Sequence, residues 1–202
     1  MKLQFKHQKF QADAAKAVVD VFAGQPYLTP SYMMDRGSGE YIQQTLDEEK
    51  SFTGWGNQKI VPELNDSLIL EHINKIQRAN QIKPSAKLEG RFNLTIEMET
   101  GVGKTYTYIK TMYELNRAYG WSKFIVVVPS IAIREGVYKS FQVTQEHFAE
   151  EYGKKIRFFI YNSSLYIFYC IIFSKSSFNS NIPIVILFSY TQLSCSNHYI
   201  IV

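Results

Sequence analysis

Cysteine is scarce in this chain: Cys170 and Cys195 are the only two in 202 residues. Two thiols cannot build the framework of bridges that staples small secreted domains, nor the four-thiolate site of a structural zinc ion. The opening MKLQFKHQKFQADAAK lacks the apolar stretch of a secretory leader, so a reducing cytoplasm is the expected setting. No apolar run approaches the ~20 residues of a bilayer-spanning helix, and no membrane association is expected. The four histidines, His7, His72, His147 and His198, stand at no metal-ligand spacing, and no Ser-His-Asp arrangement is suggested.

Acidic residues are missing from the end of the chain. All 18 lie before position 152, and between Leu165 and Val202 only Lys175 is charged. The chain thus divides into a charged part, 1–164, and a charge-poor apolar tail, 165–202. The tail's runs LYIFYCIIF and IPIVILF read either as buried strands of a parallel sheet or as the product of a truncation or frameshift. Uncovered, they would expose a large apolar surface. A formal charge of +4 permits a nucleic-acid partner without requiring one.

The charged part shows two periodicities. Gln8 to Phe22 places Phe10, Ala14, Ala15, Ala17, Val18, Val21 and Phe22 at helical spacing, with Gly24 and Pro26 just beyond. Residues 27–62 hold scattered Gly and Pro with little periodicity and read as an irregular insertion. Asp66 to Asn80 regains helical spacing through Leu68, Ile69, Ile73 and Ile76. Then come a strand (RFNLTIEM), a loop (ETGVG), a helix (KTYTYIKTMYELNRAYG), a strand (KFIVVV), a helix (IAIREGVYKSF), a further helix through Thr144 to Tyr152, and a strand (KIRFFIY). Alternation of this kind predicts an α/β fold with a parallel sheet covered by helices on both faces.

The loop between the first of these strands and its helix, METGVGKT, carries chemistry. It matches G-x-x-x-x-G-K-[ST] at Gly103, Lys104 and Thr105, with Met98 where the first Gly would stand. Thr100, Gly101, Val102 and Gly103 can turn backbone amides toward a β-phosphate, because glycine admits positive φ. The helix that starts near Lys104 adds its N-terminal amides and dipole. Lys104 is suited to the β- and γ-phosphates and Thr105 to Mg²⁺. Glu97 and Glu99 flank the loop and are expected to be structural.

A non-glycine residue followed by TGxGKT resembles superfamily 2 helicases and translocases. More narrowly, LTIEMETGVGKTYTYIKTMYELNRAYGWSKFIVVVPSIAIREGVYKSF resembles the helicase-bearing Res subunit of Type III restriction-modification enzymes. The resemblance runs from about Phe5 to Ser163 and is densest between Leu94 and Phe141. It implies a RecA-like P-loop lobe, incomplete in this chain, with ATP and Mg²⁺ as cofactors. It makes Lys104 and Thr105 the catalytic positions and gives Gln11 the role of reading the adenine edge. A side-chain amide offers that edge both a donor and an acceptor. Phe10 beside it could stack on the base or fill the core. The segment VVVPSIAIREG matches the family's motif Ia, which assigns Ser130 and Arg134 to the DNA backbone. Double-stranded DNA and a DNA methyltransferase (modification) subunit are the implied partners.

The resemblance also implies parts that these residues do not show: an Asp-Glu pair on a later strand, a second lobe supplying an arginine finger, and a nuclease domain. Ser176 to Leu187 is loosely similar to a later family strand, but Pro183 departs from it. The isolated chain is therefore expected to bind ATP weakly if at all, and neither to hydrolyse it quickly nor to cut DNA. Two other classes remain open: a stand-alone small P-loop NTPase or kinase, and a non-catalytic DNA-binding module.

Overall fold

The computed structural model describes residues 5–28, 57–88, 90, 92–128, 130–162 and 167–172. Helix α1 spans Lys9–Val21, α2 spans Asp66–Ala79 and α3 spans Lys104–Tyr119. Strand β1, Lys123–Val127, is followed by helix α4, Ile131–Tyr152, and by strands β2, Arg157–Asn162, and β3, Ile167–Ile172.

Apolar periodicity places the helices, and caps at one or both ends fix α2, α3 and α4. In α1 the buried residues Ala14, Ala15, Ala17, Val18 and Val21 lie along one stripe. Asn65 caps α2 by accepting from the Leu68 amide at 2.9 Å, and Asp66 in the first turn complements the helix dipole. Helix α3 ends at Gly120, where φ is +76° and an added Cβ would stand 2.0 Å from the Leu28 carbonyl oxygen. Only glycine admits both that backbone and that approach.

Helix α3 is the hub. Ile109, Met112, Tyr113 and Leu115 are almost wholly buried. Helix α1 packs along α3, joined by the Tyr119 hydroxyl donating to the Val19 carbonyl at 2.8 Å. Helix α2 packs on α1, with His72 Nδ1 2.9 Å from the Val21 carbonyl oxygen. On the other side α4 faces α3 through Phe148, whose ring lies 4.9 Å from Tyr106 and 5.0 Å from Tyr113. Phe141 of α4 stacks on Phe158 of β2 at 5.3 Å and so joins the helices to the sheet.

The sheet departs from the expected parallel one. Its order is β1-β3-β2, and both pairings are antiparallel, with Lys123 opposite Ile172 and Arg157 opposite the same residue. Strands β1 and β2 run in the same direction, but β3 from the charge-poor tail lies between them. Its unbroken apolar sequence suits a strand flanked on both sides. A short connection from Asn162 to Ile167 forces the antiparallel sense on β2 and β3.

Two further expectations are corrected. Residues 92–99 form no strand, although burial alternates as it would in one: Leu94, Ile96 and Met98 are half-buried while Asn93, Thr95 and Glu97 are exposed. The pattern serves packing against the core, and among the described residues no strand pairs with this segment in a hydrogen-bonded ladder. The two helices expected between Ile131 and Tyr152 are one, because Phe141, Thr144 and Phe148 continue a single buried face. Asn57 meets the start of β1: its Oδ1 accepts from the amides of Ser122 and Lys123 at 2.8 and 2.9 Å, and its Nδ2 donates to the Lys123 carbonyl at 2.6 Å. Most of the expected insertion (29–56), Pro129 and the tail from 173 onward, including the strand expected over 176–187, lie outside the described residues.

Candidate functional site

Two segments far apart in sequence meet at one cleft of about 480 Å³. Phe5, Lys6, Gln8, Phe10 and Gln11 line it from the start of the chain, and Gly101, Val102, Gly103 and Tyr106 line it from the loop and first turn of α3. Among the described residues no carboxylate lines this cleft, which suits an anionic occupant.

The α1–α3 packing fixes the meeting. Gln11, in the first turns of α1 and only 7% exposed, donates from Nε2 to the Val102 carbonyl at 2.8 Å. The bond uses one of the two donors of the amide. Gly103 is the N-cap of α3, with φ +87°, and an added Cβ would lie 2.7 Å from Gln11 Nε2. The backbone conformation favours glycine there, and a side chain would also have to displace the Gln11 amide. In front of Gly101, by contrast, a Cβ would meet nothing within 4 Å. The loop thus keeps open space on one side and Gln11 on the other.

No side chain caps α3, so its first-turn amides are left to other acceptors. Lys104 and Thr105 open the helix directly beside Gly103, both half-buried, while Thr100 is exposed; none of the three lines the cleft. An uncapped helix start, a glycine cradle and the absence of lining carboxylates fit a polyphosphate. Lys104 would hold its outer phosphates and Thr105 a Mg²⁺ ion, which supplies charge neutralisation when bound.

Ser130 and Arg134 stand elsewhere, at the start of α4, and neither lines the cleft. Ser130 is the N-cap, its Oγ accepting from the Ile133 amide at 3.3 Å. Arg134 donates from Nε and Nη2 to Glu135 Oε1 at 3.0 and 2.8 Å, and its side chain is 15% exposed. The guanidinium is thus a partnered group and not a solvated one.

Tyr106 and the seam behind it escaped sequence reasoning. The Tyr106 hydroxyl lies 2.8 Å from His147 Nε2. Further along, Lys110 Nζ bonds Glu151 Oε1 at 2.6 Å and donates to the Tyr152 hydroxyl at 3.0 Å, which donates to Glu114 at 2.7 Å. Arg117 completes the chain with Glu114 at 2.5 Å. Burial and the nearby Glu151 push the Tyr106 hydroxyl up to about 12, and burial with the Glu114 bond pushes Tyr152 up as well. The recurrence of Tyr106, Lys110, Tyr113, Glu114 and Arg117 on one helical face was the available signal.

Against known proteins, the family described as "Type III restriction enzyme, res subunit" matches residues 42–197. The chain belongs to this family. The Res subunit of the Type III restriction-modification enzyme EcoPI from Escherichia phage P1 is 35% identical over 104 residues, which cover 50% of this chain and 11% of that protein. The EcoP15I Res subunit of Escherichia coli is 34% identical over 104 residues, with the same coverage of both. The StyLTI Res subunit of Salmonella typhimurium is 41% identical over 68 residues, 33% of this chain and 7% of that protein. The match to these relatives therefore spans only about a tenth of their length. As a Res-family chain, it corresponds to part of the helicase-like region, whose fold is of the P-loop kind. The family match begins after Gln11, so the place of that residue beside the loop rests on geometry. No described helix is long and apolar enough to cross a membrane.

Proposed function

We propose that this chain is the ATP-binding and DNA-contacting portion of a Type III Res subunit. ATP lies in the cleft between residues 5–11 and the loop 100–105, its phosphates on the amides of Gly101 to Gly103 and on Lys104, with Thr105 toward Mg²⁺. Gln11 recognises the adenine edge with the part of its amide that the Val102 bond leaves over, and Phe10 lies against the base. Ser130 and Arg134, at the start of α4, take the DNA backbone; Arg134 exchanges Glu135 for phosphate when DNA arrives.

The parent activity is ATP-driven movement along double-stranded DNA coupled to endonuclease cleavage, in the cytoplasm and beside a DNA-methylating modification subunit. The names of the relatives, all Res subunits of restriction-modification enzymes, support that assignment. Lys104 and Thr105 would act in hydrolysis by stabilising charge on the transferred phosphoryl group.

The observation that carries the reading is the contact of Gln11 with Val102, which joins a base-reading side chain to a phosphate loop 91 residues away. Titration of the chain with a fluorescent ATP analogue and Mg²⁺ tests it. Saturable binding that Lys104→Ala abolishes upholds the reading, and binding indifferent to Lys104→Ala overturns it. DNA binding indifferent to both ATP and Lys104→Ala would point instead to a non-catalytic module.

A further inference from the structure

His147 of α4 lies behind the cleft and has no part in the phosphate-loop chemistry. Its Nε2 is 2.8 Å from the Tyr106 hydroxyl of α3. Its ring centroid is 5.1 Å from that of Phe5 and 5.7 Å from that of His7, both on the segment before α1. Phe5 in turn stacks on Tyr106 at 5.8 Å with the planes 25° apart. Phe5 and Tyr106 both line the cleft, Phe5 from the segment before α1 and Tyr106 from the first turn of α3. One imidazole therefore touches both walls.

Residues 5–8 belong to no helix or strand. With no ladder of their own, their position depends on side-chain contacts. We propose that His147 is a positioning residue for the nucleotide: as a neutral imidazole it accepts a hydrogen bond from Tyr106, packs against Phe5 and His7, and so holds the amino-terminal wall of the cleft against α3. This rests on the reading that the cleft takes ATP.

Charge on the imidazole works against the clamp. The titratable groups around it are His7 on the amino-terminal segment, Tyr106 and Lys110 on α3, and Glu150 and Glu151 on its own helix. Glu151 Oε2, 3.7 Å away, favours the charged ring, but the other oxygen of that carboxylate is bound by Lys110. Burial, with His7 and Lys110, opposes the charge and holds the group below its usual range. A protonated Nε2 no longer accepts from Tyr106; it can only donate to that hydroxyl, which must then turn its own proton away from the clamp.

The test uses the full chain and two variants. His147→Phe keeps a ring for packing but removes the acceptor and the titration; Tyr106→Phe removes only the donor. Affinity for N-methylanthraniloyl-ATP is measured from pH 8 down to pH 5, and amide exchange of residues 5–12 is compared without nucleotide at one neutral pH. Wild-type affinity is expected to fall about two- to tenfold on acidification, the range that loss of one hydrogen bond gives. His147→Phe should flatten that profile and speed exchange over 5–12 while leaving α2 protected. A variant with the wild-type pH profile and wild-type exchange overturns the proposal. If the wild type binds no nucleotide, the ATP reading fails by itself; unchanged exchange over 5–12 then rejects the clamp, and faster exchange upholds it.

Discussion

Gln11 Nε2 donates to the carbonyl of Val102 at 2.8 Å, and the same nitrogen lies where a side chain on Gly103 would have to go. The first helix and the loop before α3 are thereby joined. A displacement of α1 would move the loop, and a change in the loop would be felt at Gln11.

Gly103 and Gly136 receive the same substitution with opposite outcomes. Gly103→Ala places a Cβ at φ +87° and 2.7 Å from Gln11 Nε2. We expect it to lower stability by about 1–3 kcal/mol and to abolish nucleotide binding. Gly136 lies inside α4 at an exposed position where a Cβ meets nothing within 4 Å. Gly136→Ala should raise stability by roughly 0.5–1 kcal/mol. Urea unfolding of both variants checks the signs.

Asn57 is expected to be a strong point of the sheet. Its side chain makes three hydrogen bonds to the backbone of Ser122 and Lys123. Asn57→Ala leaves two amides and a carbonyl without these partners and should lower stability by about 2–3 kcal/mol. Asn57→Asp keeps the acceptor and loses the donor, so its loss should be smaller. Equilibrium unfolding midpoints give the comparison.

Stability should also report on His147. Burial holds its folded pKa below the usual 6.5, so the unfolded chain takes up this proton first as the pH falls. The resulting stability is fully present above about pH 6.5 and is lost as the pH falls toward the depressed folded value. The slope of unfolding free energy against pH over that window should be shallower in His147→Phe than in the wild type. Equal slopes would contradict the assignment of this group.

The helices were legible because their apolar stripes and flanking signals agree: α1 and α2 fall within a residue of the expected limits. The join at Phe141 to Thr144 reads as a break, yet α4 is continuous there and the Thr144 hydroxyl is satisfied inside it by the Ser140 carbonyl at 2.8 Å. Strand direction was not legible, since Ile167 to Ile172 carries an apolar pattern that suits either sense and pairing is decided by the short connection from β2. The spacing of Gly101, Gly103 and Lys104 is a local pattern that the sequence alone displays. Tyr106 shares a helical face with Lys110, Tyr113, Glu114 and Arg117, but its contact with His147, 41 residues away on another helix, leaves no local pattern.

DNA binding should depend on α4 in a measurable way. Arg134→Ala removes one cation that the reading assigns to phosphate. The slope of log affinity against log salt concentration should become less steep by about 0.9. An unchanged slope would place the DNA contact elsewhere.

The most direct measurement of the central claim is the affinity of the wild-type chain and of Gln11→Ala for ATP and GTP, each with Mg²⁺. If Gln11 joins adenine recognition to the phosphate loop, the wild type binds ATP more tightly than GTP and Gln11→Ala erases that preference. Equal binding of the two nucleotides by the wild type, or a preference for ATP that survives Gln11→Ala, would contradict it.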